Sequence, residues 1–280
     1  MNAATPPRPF RLAMVQMRVD GGEPEVNLSR AEARLAEAKA KGADIAVLPE
    51  TLDLGWTHPS ALSGADAIPD GAACQRLRNA ARRHGLLVAA GLTERSGDRV
   101  FNSAVLVDAD GEVVLHHRKL NELEIGHDCY DQGDRLGVVE TRLGVIGVMI
   151  CADAFVRGQV VARTLGLMGA QVILSPSAWA VPADHDPVRE PYGGLWRDNY
   201  GPVARDFRLW IAGVSNVGPI TGGPWEGRQC IGCSLLVGPE GRPVVEAPYG
   251  RDAEALLLAT ITPEARPARG DGWEDLWQPR

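Results

Sequence analysis

The sequence predicts a mixed α/β fold, and three observations point to it. Short apolar runs of strand length alternate with amphipathic helical stretches along most of the 280 residues. Hairpin-type pairs interrupt that alternation, so the sheet is not purely parallel. No linker-like shift in composition and no internal repeat divides the chain, which reads as one domain over 1–280, with its core at about 8–262.

The elements follow in order. Residues 1–9 form a Pro-rich tail, and FRLAMVQM at 10–17 reads as a first strand. Residues 25–41, rich in Ala, Glu, Leu and Lys, read as a helix stopped by Gly42. A short buried strand at 44–48 ends in Pro49 and Glu50; a helix at 71–84 is closed by Gly85, and a strand follows at 86–92. Strands at 101–107 and 112–118 flank the turn Asp108-Ala109-Asp110-Gly111 and make a hairpin. The β-branched run at 145–150 reads as a strand buried on both faces, with a helix over 157–169 behind it. A strand at 171–174, a helix at 192–208 and strands at 209–215, 232–237, 243–246 and 255–261 complete the core. The stretch from Pro263, rich in Pro, Arg, Gly and Asp, reads as an arm.

Composition narrows the function. A net charge of −7 and the absence of a basic run argue against a nucleic-acid surface. Five cysteines without framework spacing suit a reduced compartment. The N-terminal stretch lacks the apolar segment of a signal peptide, and no run of 18 apolar residues occurs. A cytoplasmic protein with no membrane association is expected.

Three polar residues stand at the ends of strands, where polar groups facing a core are costly. Glu50 follows the run 45–48, Lys119 follows the strand at 113–118, and Cys151 ends the strand at 145–150, where the backbone turns sharply. Taken singly, Glu50 can be a helix-start acid, Lys119 a solvated strand end, and Cys151 a small buried hydrophobe. Together, a thiol, a carboxylate and an ammonium at one sheet end suit acyl transfer. The thiolate attacks a carbonyl, the carboxylate moves protons and the ammonium holds the oxyanion, while also favouring the thiolate electrostatically.

The motifs LPE at 48–50, HRK at 117–119 and ICAD at 150–153, in this order, resemble the nitrilase (carbon–nitrogen hydrolase) superfamily. YDQGDRL at 130–136, GAQVILSPSAW at 169–179, VARDFRLWIAGVSNVG at 203–218 and GCSLLVGPEGRPVVEA at 232–247 extend the likeness over about 8–262. The resemblance implies a four-layer α-β-β-α sandwich that pairs into a homodimer or higher homo-oligomer. It further implies Glu50 as general base, Cys151 as nucleophile forming a thioester or carbamoyl intermediate, and Lys119 with the backbone N–H of Ala152 as oxyanion donors. A second glutamate after the lysine is also implied. Glu124 is the first candidate and Glu122 the alternative, since NELE at 121–124 offers both.

Relatives often follow the cysteine with Tyr-Asp and Arg-Phe-Pro-Glu, whereas this chain has Ala152-Asp153-Ala154-Phe155-Val156-Arg157-Gly158. The helix entrance, and with it the substrate pocket, is therefore rebuilt. True nitrilases tend to have Trp-Glu there, so Ala152-Asp153 favours an amide or N-carbamoyl substrate over a nitrile. Asp153 itself reads as structural, in the first turn after the cysteine.

The remaining candidates are weaker. His116 and His117 point to opposite faces of a strand and cannot chelate one ion. Cys230 and Cys233 form a C-x-x-C with neither a second pair nor nearby histidines, so no metal is expected. Cys74 and Cys129 read as inert. His127 lies in the loop before the cysteine strand and can touch substrate or solvent; Trp56 and Trp179 can wall a pocket or pack in the core. The sequence thus reads as a thiol amidohydrolase acting on a small amide or N-carbamoyl compound without a cofactor. The alternatives are a nitrilase proper and a non-catalytic binding protein on the same fold.

Overall fold

The computed structural model describes residues 8–265; most of the expected tails, residues 1–7 and 266–280, lies outside the described residues. The first half of the chain carries β1 (Phe10–Gln16), α1 (Pro24–Ala40), β2 (Ile45–Val47), α2 (Ala61–Gly64), α3 (Ala72–His84), β3 (Leu87–Ser96), β4 (Arg99–Val107) and β5 (Val113–Arg118). The second half carries β6 (Val138–Thr141), β7 (Gly144–Val148), α4 (Val160–Leu167), β8 (Val172–Ser177), β9 (Ala180–Val181) and α5 (Gly194–Phe207). It closes with β10 (Trp210–Ser215), β11 (Val217–Pro219), β12 (Gln229–Ile231), β13 (Leu235–Val237), β14 (Pro243–Glu246) and β15 (Ala255–Ile261).

Two six-stranded sheets form, in the orders β15-β1-β2-β3-β4-β5 and β14-β13-β10-β8-β7-β6. Each has a parallel centre (β1-β2-β3; β7-β8-β10) and antiparallel edges. Side-chain alternation along the first sheet decides the layering. Leu12, Met14, Ile45, Val47, Ala89 and Leu106 join a core shared with Ile146, Val148, Leu174 and Val214 of the second sheet. Their neighbours Ala13, Val15, Ala46, Val88 and Val105 join a separate core with Leu28, Ala31 and Leu35 of α1 and Leu77, Ala80 and Ala81 of α3. Glycines bring α4 and α5 close to the outer face of the second sheet. A Cβ on Gly147 would stand 3.1 Å from Leu165, and one on Gly213 would stand 2.6 Å from the Tyr200 hydroxyl. The architecture is an α-β-β-α sandwich.

The expected elements occur with local corrections. Helix α4 starts at Val160 rather than near 157, because Gly158 and Gln159 adopt positive φ (76° and 50°) and break the run. Strand β3 runs on to Ser96, since its polar end is paired rather than solvated: Thr93 binds Asp53, and Glu94 binds Ser103, His116 and Arg118. Strand β6 and the small sheet β11-β12-β9 were not foreseen; they are two to four residues long with no apolar run to announce them. The arm expected from Pro263 stays docked at its start. Pro263 is buried, the Trp210 indole donates to the Thr262 carbonyl (3.0 Å), and Glu264 pairs with Arg208.

Candidate active site

Glu50, Lys119 and Cys151 come together at the carboxyl ends of β2, β5 and β7, and each is held there by a specific device. Glu50 sits where the first sheet touches the second, its N–H donating to the Ser177 carbonyl (3.3 Å). The approach depends on Gly91 of β3, where a Cβ would lie 2.5 Å from the Glu50 Cα. Lys119 leaves β5 with its N–H on the Asn102 carbonyl (2.9 Å). Cys151 opens a single 3-10 turn (Cys151–Phe155) with φ of 41°, a left-handed conformation costly for a side-chain-bearing residue. Such strain turns the thiol out of the strand and into the cavity.

Asp153 locks these pieces in register. Its carboxylate accepts from the N–H groups of Ile150 (2.9 Å), Leu120 (3.0 Å) and Asn121 (2.8 Å) and pairs with His117 Nε2 (2.8 Å). Burial works to raise its pKa, but His117 and the backbone donors outweigh it and hold the group below the usual carboxylate range. One buried acid thus ties the Lys119 segment to the Cys151 turn. Asn121 adds a second tie, donating from Nδ2 to the Ala152 carbonyl (2.7 Å).

The Lys119 ammonium lies 2.7 Å from Glu50 Oε1 and 2.8 Å from Glu122 Oε1, all three side chains being about 2 % exposed or less. Asn102 bridges the two acids from behind, donating to Glu50 Oε1 (2.6 Å) and Glu122 Oε2 (2.8 Å). Glu122 also accepts from the Trp56 indole (3.3 Å) and the Leu123 N–H (2.9 Å). Of the two glutamates offered by the sequence, Glu122 is therefore the one against the lysine. Glu124 opens a 3-10 turn (Glu124–Gly126) and is exposed, because Asp153 fixes residues 120–121 so that position 122 points inward. His127, at the end of that turn, is exposed as well and does not line the cavity.

Burial works against the Lys119 charge, but Glu122 and Glu50 outweigh it and hold the ammonium well above its usual pKa. Burial, reinforced by Glu122 and opposed by Lys119, raises that of Glu50. Cys151 is pushed well up by burial and by the Glu50 carboxylate, against the pull of Lys119 and the Ala178 N–H. The lysine expected to favour the thiolate is therefore outweighed by burial and by Glu50. Glu50 Oε2, buried and without a hydrogen-bond partner among the described residues, is an acceptor free to take the thiol proton.

The cavity encloses about 220 Å³ and is lined by Cys151, Lys119, Ala152, Ala178 and a largely aromatic wall that includes both Trp56 and Trp179. Sequence reasoning missed Asn102, a polar residue inside a buried apolar strand, for which the NS pair in FNSAVLV at 101–107 is the available signal. It also missed Phe155, Tyr192, Trp196 and Trp225, which reach the cavity from three separate segments. Among the described residues no group of three or more His, Cys, Asp or Glu side chains is placed to hold a metal ion, and Cys230 and Cys233 are free thiols. No helix among the described residues is long and apolar enough to cross a membrane.

A buried thiol beside a carboxylate–ammonium–carboxylate chain, between the sheets of an α-β-β-α sandwich, defines a hydrolase of the thiol type. The carbon–nitrogen hydrolase family profile matches residues 11–269, and the chain belongs to that family. It is 33% identical to a nitrilase of Pyrococcus abyssi over 91% of this chain and 86% of that one. It is 28% identical to an (R)-stereoselective amidase of a Pseudomonas species, over 94% and 89%. Among solved structures, a variant of the amidase of Nesterenkonia sp. AN1, bearing the acetamide moiety of fluoroacetamide on its active site cysteine, superposes with a TM-score of 0.76 at 23% identity, over 93% and 94%.

Proposed function

We propose that this carbon–nitrogen hydrolase cleaves small carboxamides through a thioester on Cys151. The observation that carries the reading is the Lys119 ammonium, 2.7 and 2.8 Å from Glu50 and Glu122, in the wall of the cavity that Cys151 enters. As the Cys151 sulfur forms its bond to the carbonyl carbon, its proton passes to Glu50 Oε2. The oxygen that gains charge is held by Lys119 and the Ala152 N–H. Glu50 then returns the proton to the leaving nitrogen, the C–N bond breaks and ammonia departs. Water attacks the thioester, Glu50 takes its proton, and the carboxylic acid leaves as the thiol is restored. Glu122 and Asn102 fix the lysine and never exchange protons with substrate. The Nesterenkonia amidase, whose cysteine carries a covalent acetamide, supports the covalent route by likeness of fold.

A nitrile is the second reading, favoured by the 33% identical Pyrococcus nitrilase. Both are tested by ammonia release from butyramide, butyronitrile and N-carbamoylglycine with wild type and Cys151→Ala. The amide reading expects butyramide to be the fastest of the three, and turnover to fall about 10,000-fold or more in the variant. Undiminished turnover in Cys151→Ala contradicts the thiol mechanism, and faster release from butyronitrile replaces the amide by the nitrile.

A further inference from the structure

The wall of the cavity has a chemistry of its own. Trp56 meets Trp225 edge-on (5.1 Å between centroids, 78°), Trp179 stacks on Trp196 (4.4 Å, 17°), and Trp196 packs on Phe155 (5.6 Å). Tyr192, leucines and alanines complete the lining, and among the described residues Lys119 is its one charged side chain. That charge is already engaged by two carboxylates. A substrate carboxylate would enter an apolar cavity whose lining, among the described residues, offers no second cation (Arg228, against Trp225, is not part of it), with the Glu50–Lys119–Glu122 chain at its end. The volume of about 220 Å³ lies below the ~300–1,000 Å³ of drug-sized sites, leaving room for one ring and its carboxamide.

Building on the amidase reading above, we infer that the acyl group of the substrate is apolar and aromatic, of single-ring size, and that ω-amides and N-carbamoyl amino acids bearing a free carboxylate are rejected. Rejection comes from desolvating an unpaired anion, and selection from the faces and edges of the indole rings. Trp225 is the specificity residue to probe. It is half-buried on the 221–228 turn, covered by the Arg228 guanidinium (4.3 Å), and packs on Trp56, which is the one of the two that donates to Glu122.

The test is kcat/KM by ammonia release for benzamide, butyramide, acetamide, succinamate and N-carbamoylglycine, in wild type and Trp225→Ala. The expected order places benzamide about tenfold above butyramide and about 100-fold above either anion. In Trp225→Ala the benzamide KM rises about tenfold more than the acetamide KM, a split that a general loss of folding does not produce. Succinamate or N-carbamoylglycine matching benzamide overturns the inference and leaves the amidase reading standing. Equal loss of benzamide and acetamide in Trp225→Ala also overturns it. No ammonia from any amide in wild type overturns both readings together.

Discussion

Glu122 and Glu124 stand two positions apart in one tetrapeptide and do opposite things. Glu122 is buried against Lys119, while Glu124 faces solvent. Glu122→Gln should therefore lower kcat about 100-fold or more, because the lysine loses half of its anchoring charge, and Glu124→Gln should stay within about twofold. Parallel ammonia-release assays on the two variants decide this. The raised pKa of Cys151 gives a second expectation. Since burial and Glu50 disfavour the thiolate, alkylation of Cys151 by iodoacetamide should be slow at pH 7 and accelerate as pH rises past 9, and rapid, pH-independent labelling contradicts it. Glu50 and Cys151 were legible in the sequence because each ends an apolar strand, where a polar side chain needs a reason; Lys119 follows the half-polar VVLHHR and was legible through its HRK motif. The choice between Glu122 and Glu124 was not, since NELE is irregular chain without periodicity. Asp153, about 30 residues downstream, makes that choice through the N–H groups of Leu120 and Asn121.

At the scale of elements, the site is a meeting of strand ends that depends on close backbone approach. A Cβ at position 91 would stand 2.5 Å from the Glu50 Cα and 2.7 Å from the Thr51 nitrogen, so Gly91→Ala should displace the tip of β2 and lower kcat at least about tenfold while the fold persists. Asp153→Asn leaves one or more backbone donors and His117 poorly matched in a fully buried position. A loss of about 3 kcal/mol in urea unfolding is expected, with activity falling alongside as Lys119 and Cys151 come out of register. Long periodic elements such as α1 and α3 were readable from spacing and glycine stops. Strands β6, β9, β11 and β12 were not, because residues in such short stretches pair only through partners far along the chain.

Across the whole molecule, the layering follows from strands that are apolar on both faces, so that each sheet is covered twice. The sequence pattern led only as far as a mixed sheet; the four-layer stack came from resemblance to a family. The acid limit of stability should be set in part by Glu94. Burial raises its pKa, but His116, Arg118 and Ser103 outweigh it and hold the group at about 2. A depressed carboxylate stabilises the fold above its unfolded pKa, near 4.5, and loses that contribution as pH falls toward 2. Glu94→Gln should thus lower thermal stability most near neutral pH and converge with wild type by about pH 2; a gap that widens on acidification contradicts the assignment.

If Cys151 carries the acyl group during turnover, intact-mass analysis of enzyme acid-quenched while hydrolysing benzamide will catch it there. A benzoyl increment is expected on wild type, mapped by peptide digestion to the segment holding Cys151, removed by hydroxylamine and absent from Cys151→Ala. Catalytic turnover persisting in Cys151→Ala, or an increment mapping to another residue, would contradict that role of Cys151.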